Sequence, residues 1–246
     1  MNLEGKRVLI TGGGTGTGAD FCRGFVEAGC EVVIAGRRRE PLENVAGDNK
    51  AIRPIVADVT DEDSVRTMFE AAGPVDIVIA NAGAAESSAL VKTELDRWNA
   101  LVAVNMTGTF LTFREGLRQM TGWGRLIAVS SIMGIKGGGY VSTYAATKHG
   151  VVGLVRSVAH EVARTPVTVN AICPGYIDTE MAERTIQNIM TKTGRSREEA
   201  VAAVTSTSPQ RRLIAPAEVT AAALYLCGPG SEGVNGHTLA ITGGEV

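Results

Sequence analysis

Arg7-Val8-Leu9-Ile10-Thr11-Gly12-Gly13-Gly14-Thr15-Gly16-Thr17-Gly18 passes from a short apolar run straight into a glycine cluster. Beyond it Phe21, Cys22, Phe25 and Val26 recur at helical spacing until Gly29, so the stretch reads as strand, tight turn, helix. Glycines at such a turn permit a sharp reversal and let backbone N–H groups approach a pyrophosphate at the helix N-terminus. Gly12, Gly14, Thr15, Gly16 and Thr17 are therefore candidate dinucleotide contacts. The alternative is a glycine turn that only reverses the chain, because the spacing G-x-x-x-G-x-G is a weak signal taken alone.

The same rhythm continues on the C-terminal side. Strands are expected at Glu31 to Ala35, Ile52 to Ala57, Val75 to Ala80, Arg125 to Ser130, Val167 to Cys173 and Thr238 to Ile241. Between them lie a short helix from Glu40 to Ala46, a helix capped by Thr60-x-x-Asp63, and long helical stretches at 94–120, 141–164 and 216–227. Continuous apolar strands alternating with helices predict an α/β fold: a doubly wound, Rossmann-type parallel sheet of about seven strands, with helices on both faces. Ligands then gather at the carboxyl ends of the strands. No linker or repeat interrupts the 246 residues, which reads as a single domain over 1–246.

Composition narrows the classes. Lys and Arg total 24 against 26 Asp and Glu, a net charge of −2, which argues against a nucleic-acid partner. The 30 glycines exceed the ordinary share of roughly 7%. Cys22, Cys30, Cys173 and Cys227 are irregularly spaced and match neither a disulfide framework nor a zinc site. His149, His160 and His237 are scattered, so no metal site is expected. The stretch from Met1 to Arg7 has no apolar signal region and no run of about 18 apolar residues occurs, so neither a membrane partner nor export is expected. The expectation is a cytoplasmic protein.

Further polar residues fall at strand ends. Asp58, followed by Val59, ends the third strand and either accepts from an adenine amino group or caps a turn. Asn81-Ala82-Gly83 ends the fourth, where small residues let the backbone pass an adenine ribose or simply turn. Tyr144-Ala145-Ala146-Thr147-Lys148 places a phenol and an ammonium at i and i+4 on one helical face. A nearby cation draws the Tyr pKa down from about 10, so that it can exchange a proton with an alcohol or carbonyl oxygen. The alternative is ordinary packing. Ser131 ends the fifth strand facing the same crevice, and Asn105, inside the long helix before it, is either a structural hydrogen-bonder or part of a polar relay.

With these residues, and with Pro174-Gly175, in this order and approximate spacing, the chain resembles the short-chain dehydrogenase/reductase family from Lys6 to the C-terminal Asn235-to-Gly244 segment. The resemblance implies an oxidoreductase that moves a hydride between a nicotinamide cofactor and a small-molecule ketone or secondary alcohol. It makes Tyr144 the general acid in reduction and the base in oxidation, Ser131 the partner of the reacting oxygen, and Lys148 the residue that lowers the Tyr pKa and holds the nicotinamide ribose. Asn105 would support a water-linked proton path. The Ile177 backbone would meet the carboxamide and Thr179 the pyrophosphate; the alternative for Pro174-Gly175 is a simple turn.

At the end of the second strand, Gly36 stands where NAD-preferring relatives usually carry an acidic residue. Arg37 and Arg38 follow, favouring the 2′-phosphate of NADP(H) over NAD(H). Against it, Thr15 replaces a basic residue common in NADP-specific relatives, and the arginines also suit a solvated turn. The segment at about 176–208 is long for a connection and reads as a lid, or as a helical pair packed on the body, with Ile186, Ile189 and Met190 on one face and Ser196-x-x-Glu199 as a capping box. Met133, Tyr140, Tyr176 and Met181 are candidate substrate contacts beside Ser131 and Tyr144, and no Arg clamp for a free carboxylate is evident among the pocket residues. Similarity to 3-oxoacyl-thioester and polyketide ketoreductases suggests a 3-oxoacyl thioester or related ketone; oxidation of a secondary alcohol, cyclic alcohol or sugar is the alternative, and a non-catalytic nucleotide sensor a remote one. Leu101, Val104, Leu111, Val151, Leu154, Val155 and Val158 exceed what one face against the sheet needs, and with the resemblance they suggest a homotetramer.

Overall fold

Seven strands, β1 (Arg7–Thr11), β2 (Glu31–Gly36), β3 (Ile52–Val56), β4 (Ile77–Ala80), β5 (Gly124–Val129), β6 (Val167–Pro174) and β7 (Thr238–Ile241), make one parallel sheet in the order β3-β2-β1-β4-β5-β6-β7. The computed structural model describes residues 3–246; Met1 and Asn2 of the N-terminal stretch lie outside them. The helices among the described residues are α1 (Gly16–Glu27), α2 (Arg39–Ala46), α3 (Glu62–Ala72), α4 (Leu95–Val102), α5 (Gly108–Gln119), α6 (Ser142–Glu161), α7 (Glu180–Thr193), α8 (Arg197–Val204) and α9 (Pro216–Cys227).

Neighbouring strand residues point to opposite faces, and both faces are covered. Leu9 of β1 packs with Val65, Met68 and Phe69 of α3, Leu111 and Phe113 of α5, and Val151 and Val155 of α6. Val8 and Ile10 pack instead with Phe21 and Phe25 of α1 and Val219, Ala223 and Leu226 of α9. The strand order reverses between β1 and β4, so the crevice beyond their carboxyl ends is the place where a doubly wound sheet takes a ligand. No helix among the described residues is long and apolar enough to cross a membrane. All four cysteines are free and buried.

Four local expectations are corrected. The helix expected over 94–120 is broken by a π turn, Ala103–Thr107, between α4 and α5. The break centres on Asn105, whose side chain is tied to neighbouring segments, and the widened turn accommodates that tie. Asp61, not Thr60, caps α3, accepting from the Ser64 N–H at 2.7 Å; the Thr60 hydroxyl is used as a donor to Asp58. β5 ends at Val129, so Ser131 has already left the strand and caps a short 3-10 turn, Ile132–Gly134. Leu101, Leu111, Val151, Val155 and Val158 are core residues and Val104 and Leu154 are partly buried, so they are not a surplus apolar face. The exposed apolar residues of this region are others: Leu95, Trp98, Met106 and Phe110.

Candidate active site

The glycine loop is closed by steric contact. A Cβ on Gly18 would stand 2.1 Å from the Gly12 carbonyl oxygen, and one on Gly12, whose φ is +67°, 2.9 Å from the Ala82 Cα. Asn81 clamps the loop: its amide nitrogen donates to the Thr11 and Gly12 carbonyls at 3.0 and 3.2 Å. The Thr11 hydroxyl accepts from the Asn81 and Ala82 N–H groups, each at 3.1 Å. Asn81 is thus more than a turn residue. The sequence reading missed Thr11, whose signal was a hydroxyl at the end of an otherwise apolar strand.

Thr15 and Thr179 are the N-caps of α1 and α7, and neither makes a side-chain cap hydrogen bond. Their helix N-termini meet, since a Cβ on Gly16 would lie 3.3 Å from Thr179 Cγ2. First-turn N–H groups and the positive ends of two helix dipoles therefore face one position, suited to a pyrophosphate. At the edge of this crevice Arg37 and Arg38 are exposed, while Arg39 pairs with Glu43. Asp58 accepts from the Thr60 N–H, which holds its carboxyl below the usual range, helped by the Arg37 charge. Val59 is buried against Gly108.

Deeper in the crevice, α6 carries Tyr144 and Lys148, with the ammonium nitrogen 5.7 Å from the phenol ring centroid. Lys148 donates to the Val129 carbonyl at 2.8 Å, and burial pushes its pKa down to about 8. Burial raises the Tyr144 pKa, opposed by a hydrogen bond with Ser131, with Tyr176 and Cys173 adding to the rise. The expected lowering of the Tyr144 pKa by Lys148 is not present in the protein alone: desolvation of the phenolate raises it, and the opposing influence comes from Ser131. Ser131 accepts from the Met133 N–H at 3.1 Å, which orients its hydroxyl.

Asn105 is fully buried. Its Oδ1 accepts from the Ala84 N–H at 2.9 Å, and its amide nitrogen donates to the Ala84 carbonyl at 2.9 Å and to the Thr147 hydroxyl at 3.1 Å. A Cβ on Gly83 would lie 3.0 Å from Asn105 Oδ1 and 3.6 Å from Lys148 Nζ, so these three residues adjoin. Thr147 and Ser130, which bonds the Lys148 carbonyl at 3.0 Å, were not singled out in the sequence; only their place beside Lys148 and Ser131 marks them. Gly175 bonds the Ile241 carbonyl, and Ile177 pairs with Ile214, fixing the segment that leads to Thr179.

The candidate substrate residues are not gathered in one enclosed cavity. Met133 is half-buried, whereas Tyr176 and Met181 are exposed. Tyr140, at φ +64° and 71% exposed, belongs with Glu86, Ser88, Thr93, Arg97 and Thr143, and its carbonyl accepts from the Ser88 N–H. Arg97 in that group is paired with Glu86. Ile186, Ala200 and Val204 form a small core between α7 and α8, with Ile189 and Met190 against it.

The short chain dehydrogenase family pattern matches residues 6–189. The chain belongs to this family. It is 33% identical to a 3-oxoacyl-(acyl-carrier-protein) reductase of Vibrio harveyi, over 99% of this chain and 98% of the relative. A D-beta-hydroxybutyrate dehydrogenase of Rhizobium meliloti is 31% identical over 97% of this chain and 98% of its own. A solved structure of an actinorhodin polyketide ketoreductase variant with NADPH aligns at a TM-score of 0.91 and 31% identity, covering 100% of this chain and 99% of its own. As a short-chain dehydrogenase the protein is an oxidoreductase, and its helix-terminus crevice and Ser131, Tyr144 and Lys148 cluster lie at the same end of the sheet.

Proposed function

We propose that the protein is a cytoplasmic NADP(H)-dependent reductase of a ketone, with a 3-oxoacyl thioester or a related ketone as its substrate class. The observation that carries this reading is the Tyr144 phenol beside Ser131 and one helical turn from Lys148, whose ammonium nitrogen lies 5.7 Å from the ring centroid, with burial favouring its protonated form. A protonated phenol donates; it suits reduction of a carbonyl at neutral pH. The reductase names of two relatives point the same way. The dehydrogenase among them supports the reverse reaction, oxidation of a secondary alcohol, as the second reading.

Tyr144 gives its proton to the substrate oxygen as negative charge develops there, and Ser131 hydrogen-bonds the same oxygen. Lys148 spends one N–H on Val129 and has others for a ribose hydroxyl. Asn105 fixes Ala84 and Thr147 and so sets the polar wall along which water reaches Lys148. A bound nicotinamide supplies the hydride. The residues present fit a dinucleotide: the loop of Gly12, Gly14, Thr15, Gly16 and Thr17 together with Thr179 borders the pyrophosphate, Asp58, Val59, Asn81, Ala82 and Gly83 border the adenosine side, and Pro174, Gly175 and Ile177 border the nicotinamide side. Met133, Tyr176 and Met181 border the substrate, with residues 176–208 as its lid, while Tyr140 stands apart with the Glu86–Arg97 group, and the whole chain acts as one catalytic domain.

Arg37 and Arg38 make no salt bridge among the described residues, so either is available to a 2′-phosphate. With a 3-oxoacyl thioester as probe, kcat/KM is expected to be higher with NADPH than with NADH. Arg37→Ala or Arg38→Ala should narrow the ratio by on the order of tenfold, the scale of one charge-assisted contact. No turnover of 3-oxoacyl thioesters beside rapid oxidation of a secondary alcohol would select the second reading; an NADH preference would remove the basic turn from phosphate recognition.

The exposed Leu95 and Trp98 of α4, Met106 of the π turn and Phe110 of α5 favour assembly with further copies of the chain. Light scattering at micromolar concentration is expected to give four times the 25.7 kDa chain mass. A mass equal to one chain would refute it.

A further inference from the structure

The chain ends Thr242-Gly243-Gly244-Glu245-Val246, and this tail touches two segments that border the proposed site. On one side the Ser208 hydroxyl donates to the Thr242 carbonyl at 3.1 Å, and the Gln210 N–H to the Gly243 carbonyl at 3.3 Å. Both lie in the segment that leaves α8. Gly243 and Gly244 then take φ of +64° and +88°, a consecutive left-handed turn open to glycine. The turn delivers Glu245 to the other side, where its carboxylate pairs with the Lys136 ammonium.

The Glu245 side chain is only 8% exposed and that of Lys136 29%. A carboxylate so far removed from water is costly unless paired, so the tail is held where Lys136 is. Lys136 in turn belongs to the Ser131 segment: its N–H donates to the Ile132 carbonyl at 3.0 Å, closing the turn that Ser131 caps. Tyr176 lines one small cavity together with Glu245, Thr205 and Ser208. Arg212, also at that cavity, is committed to Glu218. The charges reach the site as well: Glu245 raises and Lys136 lowers the Tyr176 pKa, and Tyr176 acts on Tyr144.

We propose that Glu245 is a positioning residue, whose ion pair with Lys136 ties the Ser131 segment to the chain leaving α8 and so sets the opening through which the carbonyl substrate reaches Ser131 and Tyr144. The statement about substrate rests on the reading of the protein as a carbonyl reductase; the tie itself does not. Glu245 touches neither the reacting oxygen nor the proton donor and acts through Lys136.

Glu245→Gln, Lys136→Gln and the charge-swapped pair Lys136→Glu with Glu245→Lys test this in the full-length protein. Amide hydrogen exchange is followed by mass spectrometry, and reduction of ethyl acetoacetate by NADPH is the kinetic probe. Either single variant is expected to speed exchange over both 132–140 and 208–212 while β5 and β6 keep their protection. KM for ethyl acetoacetate should rise on the order of tenfold with kcat little changed, and the charge-swapped pair should restore both readouts. Unchanged exchange over 132–140 in both single variants, an unchanged KM, or a charge-swapped pair no better than Glu245→Gln would overturn the proposal. Exchange needs no substrate, so it decides the tie even if ethyl acetoacetate is not reduced, and failure of the tie is separated from failure of the reductase reading.

Discussion

Tyr144→Phe is expected to lower kcat for carbonyl reduction by at least about two orders of magnitude, the ordinary scale of general acid catalysis, while NADPH affinity stays within about threefold of wild type. The substitution removes one hydroxyl and keeps the ring, so the packing of α6 on β5 and β6 is preserved. Steady-state rates beside a fluorescence titration of NADPH separate the two effects, and near-normal turnover would remove Tyr144 from the chemistry. The pH dependence follows from the two shifts. Tyr144 is raised, so it stays protonated through neutrality and does not limit reduction there. Lys148 is depressed to about 8, so its cation is present below that pH and lost above it. kcat/KM for the cofactor, which reports the free protein, should be flat below pH 7 and fall as pH rises through about 8. In Lys148→Met that falling limb should be absent, from a lower starting value.

Gly18→Ala is expected to weaken NADPH binding by at least about tenfold and to lower the Tm, although helix propensity alone argues the reverse. Gly18 lies inside α1, where Ala is the better helix former by about 1 kcal/mol. Its added methyl, however, would lie 2.1 Å from the Gly12 carbonyl oxygen and 2.8 Å from the Asn81 amide nitrogen. Neither is the free end of a flexible chain; α1 or the loop must move. Overpacking of this kind costs about 1–3 kcal/mol, equivalent to a fall in Tm of roughly 2–12 °C for a chain of this size. Calorimetry and the same NADPH titration read both parts, and a rise in Tm with unaltered affinity would show that the loop and helix are not packed as described.

The alternation of apolar strands with helical periodicity determined the element types and their sequence. Right-handed crossovers then leave a parallel sheet covered on both faces, because strands such as Val8-Leu9-Ile10 have no polar side to give to water. Tyr144 and Lys148 were legible for a similar reason: four residues on a helix is a local distance, independent of the rest of the chain. The capping box of α8, Ser196-x-x-Glu199, was legible on the same grounds.

What required the tertiary structure is whatever depends on desolvation or on segments far apart in the chain. The sign of the Tyr144 shift depends on how much water burial removes, which no spacing encodes, and burial outweighs the opposing influence of Ser131. The π turn at Asn105 exists because Ala84 and Thr147, 21 and 42 residues away, claim its amide. Leu101 and Val151 read in the sequence as surplus apolar residues pointing to an interface, and only with the sheet beneath them in place are they core. The Lys136–Glu245 pair joins residues 109 positions apart, and neither lies in a recognisable motif. Periodicity and motif spacing are properties of a few consecutive residues; burial and long-range pairing belong only to the folded chain.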